Sequence, residues 1–325
     1  MERADLIWHN GELVPWDNAT VHILTHGLHY GTGVFDGIRA YETPRGIAIF
    51  RSHDHLDRLF KSAELYYIPI PYTLEELRTA THELIAANEL HECYIRPIVF
   101  RGMGAMGLYP LDCDVEVSIA AWPWGAYLGE ESRSQGVRAK VATWRRMPHD
   151  ALIPHAKACG QYLNSVLAKI ETSKAGYDEA ILLDSHGFVC EGSAESIFAV
   201  RDGQILTPPQ TAGIIDGINR KSIIRIARDL GCEVVERDLA RAELVLAEEV
   251  FMCGTAAGMV PVREIDDHPI GTGRPGPTTR QLQGVFVDAL HGRDSRYLDW
   301  LDVVEVASKA GAETAARVPG GEPGG

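Results

Sequence analysis

Residues 154–165 read PHAKACGQYLNS, and how the chain is organised turns on what surrounds Lys157. Its small neighbours let another molecule approach the amine closely, and a lysine in apolar surroundings is a candidate nucleophile. Taken alone, the segment fits an exposed loop lysine better, because lysines rarely bury. Immediately after it, Tyr162–Lys174 reads as a helix. Further on, Glu179–Leu183 and Phe188–Cys190 read as a hairpin around Ser185-His186-Gly187, followed by a strand at Ile197–Val200. Arg220–Leu230 is helical and closed by Gly231, and Val250–Cys253 is an apolar strand.

Upstream of Lys157 a strand spans Val137–Trp144, preceded by a polar, glycine-rich run at 125–136 that reads as an interdomain linker. Before the linker, Leu6–Trp8 and Glu12–Val14 flank Asn10-Gly11, a hairpin signal. Two more strands surround Pro44-Arg45-Gly46 between Gly37 and Phe50. Leu56, Leu59, Phe60, Ala63 and Tyr67 repeat with a helical period, and Thr73 with Glu76 forms a capping-box signature for a second helix. Strands return at Cys93–Phe100 and Val115–Trp122. Strands, helices, then strands again suit an α+β unit. The expected organisation is a small domain over 1–124, the linker at 125–136, a large domain over 137–304 and a disordered tail over 305–325, where the composition falls to Ala, Gly, Glu and Pro.

With 325 residues, 45% hydrophobic and 23% charged, the chain has the composition of a globular protein of two domains. Its formal net charge of −14 argues against a nucleic-acid groove. The six cysteines are scattered without a CxxC pair and read as reduced thiols. Glu2 and Asp5 stand where a signal peptide would be basic, and no apolar run approaches the roughly 18 residues that span a bilayer. The expectation is a cytoplasmic protein with neither membrane nor nucleic acid as partner.

Several other segments can carry chemistry. Ile214–Arg220 is a strand end, a turn and a helix start, whose free N–H groups suit an anion; an ordinary capped turn fits as well. Cys253–Gly258 is a run of small residues after a strand, either an anion loop or a tight connection. Glu191 at a strand end is a surface carboxylate or a buried acceptor for a protonated heterocycle. Gly31-Thr32-Gly33 lacks the third glycine and the context of a dinucleotide fingerprint. His22, His26 and His29 have no Asp, Glu or Cys nearby to complete a ligand set, so no metal is expected.

In order along the chain stand HGLHYGTGVFDGIRAY (26–41), YIRP (94–97), AAWPWGAYLG (120–129), AKACGQYLNS (156–165), GYDEAILLD (176–184), EGSAESIF (191–198), LTPP (206–209), GINR (217–220) and VFMCGTAA (250–257). Together they resemble the branched-chain aminotransferases, class IV enzymes of fold-type IV that use pyridoxal 5'-phosphate. The likeness runs from about residue 5 to residue 304. It implies an α+β fold with a smaller N-terminal α/β sandwich-like domain and a larger C-terminal pseudo-barrel domain.

The resemblance also implies roles. Lys157 would bind the cofactor covalently and move the substrate proton. Glu191 would pair with the ring nitrogen, keeping the ring an electron sink, and Tyr162 would contact its phenolic oxygen. Arg51 would hold the phosphate, with Ile218, Asn219 and Thr255. On the substrate side, Phe35, Gly37, Arg39 and Tyr94 would line the pocket with Arg96, Trp122, Trp124 and Tyr127, Trp124 matching the family's indole wall. Thr255, Ala256 and Ala257 would hold the α-carboxylate. Tyr30 would reach in from a second subunit, implying a homodimer or higher homo-oligomer acting on small amino acids and 2-oxo acids.

This chain departs from the family at Asp36 (usually Glu), Gln161 (Asn), Ala194 (Gly), Ser196 (Asn), Asn219 (Thr) and Gly258 (Glu). The function implied is transfer of the amino group of Leu, Ile or Val to 2-oxoglutarate by a ping-pong cycle. The alternatives are a transaminase for D-amino acids or (R)-amines, an aminodeoxychorismate-lyase-like enzyme, and a protein that binds the cofactor without turnover.

Overall fold

The computed structural model describes residues 2–125 and 130–304. The expected tail at 305–325, four positions of the expected linker (126–129) and, with them, Tyr127 lie outside the described residues.

The chain opens with the hairpin β1 (Leu6–His9) and β2 (Glu12–Pro15), turned by Asn10 (φ 48°) and Gly11 (φ 99°). The short helix α1 (His26–Tyr30) follows, then β3 (Gly33–Phe35) and the hairpin β4 (Ile38–Thr43) and β5 (Gly46–Phe50). Helices α2 (Ser52–Leu65) and α3 (Leu74–Ala87) precede the long hairpin β6 (Cys93–Arg101) and β7 (Val115–Pro123). The capping box at α3 is formed in full, with Glu76 N donating to Thr73 Oγ1 and Thr73 N to Glu76 Oε2. Leu56, Leu59, Leu77 and Leu84 bury the facing stripes of α2 and α3 against this sheet.

The expected linker carries α4 (Glu130–Gln135), whose last residues lead into β8 (Val137–Arg145). The helix α5 (Tyr162–Lys174) joins β8 to β9 (Glu179–Leu183), and these two strands pair in parallel. Next come β10 (Val189–Gly192), β11 (Ser196–Arg201) and β12 (Gln204–Thr207), then α6 (Ile218–Asp229), β13 (Glu233–Glu236) and α7 (Arg241–Val245). The chain goes on through β14 (Glu249–Gly254), β15 (Gly258–Ile265), β16 (His268–Pro269) and α8 (Pro277–Leu290). Among the described residues β8 to β16 form one sheet of nine strands in the order β10-β9-β8-β15-β14-β11-β12-β13, with β16 beside β15.

The last strand, β17 (Leu301–Val303), does not stay with that sheet. It returns to β5 and completes a first sheet in the order β17-β5-β4-β6-β7-β1-β2, with β3 on β6. The sheets are joined by a shared core in which Tyr41 and Phe50 from the first meet Phe198 and Phe251 from the second, with Ile223 of α6 and Phe286 of α8 between them. A separate core fills the inner side of the second sheet around Ile181, Ile197 and Val260.

Candidate active site

Lys157 lies on an irregular stretch tied down on two sides through its own main chain. Its carbonyl accepts from Phe35 N (3.0 Å) and its amide donates to Ser62 Oγ of α2 (3.1 Å). The next residue, Ala158, bridges to Val34. These contacts aim the side chain between two rings, with Nζ 5.2 Å from the Phe35 centroid and 5.0 Å from that of Tyr162, the first residue of α5. The Lys157 amine donates to the Tyr162 hydroxyl. The lysine is thus half-buried, and among the described residues its amine has one hydrogen-bond partner.

Glu191 enters the same cavity from β10, at a register shift in the β10–β9 pairing that re-aims its side chain. Its Oε1 is 2.8 Å from Arg146 Nε, and its Oε2 accepts from Ile215 N (3.2 Å). Burial raises the Glu191 carboxyl above its ordinary range; Arg146, the Ile215 N–H and Lys157 pull the other way. Arg146 stands just past β8 with 4% exposure and also reaches the Gly213 carbonyl. No sequence feature singled it out.

An anion end completes this side. The helix α6 starts at Gly217 with no side-chain cap, leaving its first N–H groups open. A Cβ on Gly217 would lie 2.9 Å from Ser196 Oγ and 3.1 Å from Arg220 Cβ, so a larger residue would crowd this turn. Asn219 Oδ1 and Arg220 Nε are buried here without partners among the described residues. Arg58 of α2 also lines the cavity. Asp36, fully buried, holds that guanidinium from both Nε and Nη2 at 2.8 Å, while Nη1 donates to the Asp216 carbonyl (3.2 Å). His55 Nδ1 is 2.8 Å from the same carboxylate. Burial alone would raise the Asp36 carboxyl, but Arg58 and His55 overcome it and hold the group far below the carboxylate range.

Arg51, expected on the phosphate, takes no part in the cavity wall. It sits at the end of β5 in the left-handed region (φ 50°), and its Nη1 runs beneath α6 to Ser222 Oγ (2.9 Å) and the Ile218 carbonyl (3.4 Å). The cavity arginine is Arg58, two helical turns further on. The signal for it was a charged residue interleaved with the apolar stripe of α2, three positions after His55.

The opposite end is aromatic. Phe35, Gly37, Tyr94, Arg96 and Trp124 line it. The Tyr94 ring packs at a tilt against Trp124 (4.9 Å between centroids, 37°) and against Trp122 (5.2 Å, 40°). Gly37 is obligatory, since a Cβ there would lie 2.0 Å from the Tyr94 hydroxyl oxygen. Arg96 donates to that hydroxyl (2.9 Å) and lies over the Phe35 ring (4.7 Å), with its Nε buried and without a partner among the described residues. Trp124 Nε1 donates to the Ala256 carbonyl (3.3 Å), tying this wall to the β14–β15 turn, from which Thr255 and Ala256 also line the cavity.

Three expected residues lie outside that wall. Arg39 is buried behind it, reaching the Trp124 carbonyl (3.5 Å) and Glu92 (3.9 Å). Ala257 is buried in the turn, and Tyr30 is exposed on α1. The cavity measures about 250 Å³. It offers an amine, a carboxylate facing it and a helix start for an anion. That set can hold a compound carrying both a carbonyl and a phosphate. Among the described residues no group of His, Cys, Asp or Glu is placed to bind a metal.

The family model for amino-transferase class IV matches residues 33–265. The branched-chain-amino-acid aminotransferase of Pseudomonas aeruginosa is 45% identical over 94% of this chain and 99% of its own. The crystal structure of the Escherichia coli branched-chain amino acid aminotransferase superposes with a TM-score of 0.92 at 44% identity, covering 93% of this chain and all of that one. The branched-chain amino acid aminotransferase of Thermobaculum terrenum, in its PLP form, gives 0.88 at 38%, covering 94% of this chain and all of its own. By sequence, fold and the residues gathered in the cavity, the chain belongs to the class IV aminotransferases.

Proposed function

We propose that the protein transfers the amino group of leucine, isoleucine and valine to 2-oxoglutarate, using pyridoxal 5'-phosphate in two half-reactions that share one site. The observation that carries this reading is that Lys157, Glu191 and the open start of α6 line one cavity whose far wall is aromatic. The donor set fits the cofactor: an amine for its carbonyl, a carboxylate for its ring nitrogen, and N–H groups with Arg58 for its phosphate. When bound, the cofactor supplies a carbonyl for the substrate amine and a ring that accepts the electron pair left at Cα.

The chain's own groups do the rest. Lys157 Nζ holds and returns the Cα proton, and the Tyr162 hydroxyl orients that amine. Glu191, braced by Arg146, keeps a negative charge where the ring nitrogen carries its proton. Arg58, the N–H groups of Ile218 and Asn219, and Thr255 hold the phosphate; Arg51 acts one layer out, by fixing the first turn of α6. Phe35, Tyr94 and Trp124 exclude water around an aliphatic side chain, and Arg96 pairs with the second carboxylate of glutamate in the other half-reaction. N–H groups of Thr255, Ala256 and Ala257 take the α-carboxylate.

We further propose two domains, over 1–124 and 137–304, joined through 125–136, and a homodimer in the cytoplasm. The dimer reading is supported by Leu28 and Tyr30 of α1 and by Leu163 and Leu167 of α5, all exposed and apolar. No helix among the described residues is long and apolar enough to cross a membrane. The test is a single-turnover panel read by the visible absorbance of the bound cofactor. L-leucine is expected to discharge it fastest; faster reaction with D-alanine or (R)-1-phenylethylamine, or pyruvate release from aminodeoxychorismate, would overturn the assignment.

A further inference from the structure

Three carboxylates are buried side by side on β9, β10 and the turn before β11, and they are not equally provided for. Glu179 on β9 is fully buried, with Lys169 of α5 at 2.6 Å and two N–H donors, from Ala180 and Ser193. Glu191 on β10 has Arg146 and the Ile215 N–H. Glu195, in the turn between β10 and β11, is 3% exposed and lines the cavity. Its Oε2 accepts from Ala194 N (3.0 Å), and among the described residues it has no ion pair. One N–H does not offset the burial of a full negative charge beside two others.

We propose that Glu195 is an uncharged carboxylic acid in the working enzyme, and that its ionisation makes the cavity reject anions. The groups facing it are Glu179 from β9, Lys169 from α5, Glu191 from β10 and Cys253 from β14, with Arg220 of α6 beyond Cys253. Burial first, and Glu179 second, push the Glu195 carboxyl up to about 8, against the N–H of Ala194 and the charge of Lys169. Glu195 packs against Gly254, with its Cγ 3.2 Å from where a Cβ on that glycine would sit. It therefore borders the Gly254–Ala256 turn and the Ser196 side of the α6 start, where a phosphate and a carboxylate must both be received. A neutral acid can donate a hydrogen bond there; a carboxylate repels both.

The inference rests on the proposed cofactor reading, and pyridoxamine 5'-phosphate, which cannot bond covalently to Lys157, separates the two in a fluorescence titration. Wild-type affinity is expected to fall about tenfold between about pH 6.5 and about pH 9.5, while Glu195→Gln changes less than about twofold. Parallel profiles would overturn this inference alone; no binding at any pH would overturn the cofactor reading and the inference together. Stability supplies a second readout. Because folding retains a proton that the unfolded chain loses near 4.5, the Glu195 contribution to stability declines from there up to about 8 and then levels. Glu195→Gln is expected to gain thermal stability relative to wild type at pH 9, and a loss at every pH would contradict the account. In the wild-type protein, infrared spectra are expected to show a carboxylic-acid band at pH 7 that titrates away near 8; its absence at pH 7 would overturn the proposal even if the variant failed to fold.

Discussion

At one end of the cavity Arg58, Glu191 and Lys157 are each fixed by directional contacts with buried or main-chain partners; at the other, Tyr94, Trp122 and Trp124 meet ring against ring. The first end has to present the same groups to the same ligand in every turnover, and hydrogen bonds at 2.8 Å define position within tenths of an ångström. Under the proposed function, the second accepts an aliphatic side chain in one half-reaction and a carboxylate in the other. Ring contacts are less directional than hydrogen bonds, so on that reading the wall can adapt to both shapes, with Arg96 at its edge. The difference teaches that fixity was placed where the ligand is constant and tolerance where it varies.

The largest effect tests the fixed end. Lys157→Ala is expected to lower the rate at least about a thousandfold. The melting temperature should stay close to wild type, because the residue's structural contacts are made by its main chain; a large fall would make Lys157 a fold determinant instead. Next comes Asp36→Asn, which leaves Arg58 half-paired. Breaking a buried pair costs about 3–5 kcal/mol, and cofactor affinity should drop about a hundredfold with it, to be partly restored by Asp36→Glu. The acid limb checks the same pair. Since Asp36 is held well below its ordinary range, its contribution is complete above about 4 and is lost as pH falls further, so the variant's stability should be flatter than wild type there.

At the tolerant end, Trp124→Ala should raise KM for leucine about tenfold, from lost apolar contact, and raise KM for glutamate less. Equal effects on both would break the division of labour. The smallest effect sharpens the fixed end: Arg51→Ala should weaken cofactor binding only a few-fold, about 1 kcal/mol for a hydrogen bond one layer out. An effect as large as that of Arg58→Ala would return Arg51 to the phosphate.

Lys157, Tyr162 and Glu191 were singled out by the order of nine family-like segments and not by their own neighbourhoods, where a loop lysine and a surface carboxylate fitted as well; the structure gathers all three around one cavity. The sequence misplaced the arginine because Arg51, right after a strand, has the position of an anchor but the backbone of a bend. Its left-handed conformation swings the guanidinium under α6, and nothing local announces that. Arg146 went unseen because its function depends on Glu191, forty-five positions away in sequence. In the fold, hairpins with turn residues and helices with clear periodicity were readable. β15 was not, since Pro261 in its middle argues against a central strand; the structure accommodates it opposite Phe251, next to a register shift against β8. The return of β17 to the first sheet depends on a pairing across the whole chain and has no local signature.

The most direct test of the account is where the cofactor is covalently held. Protein loaded with pyridoxal 5'-phosphate, reduced with borohydride and digested, should yield one labelled peptide, with the label on Lys157. A label on another lysine, or none in protein that still turns over L-leucine, would contradict it.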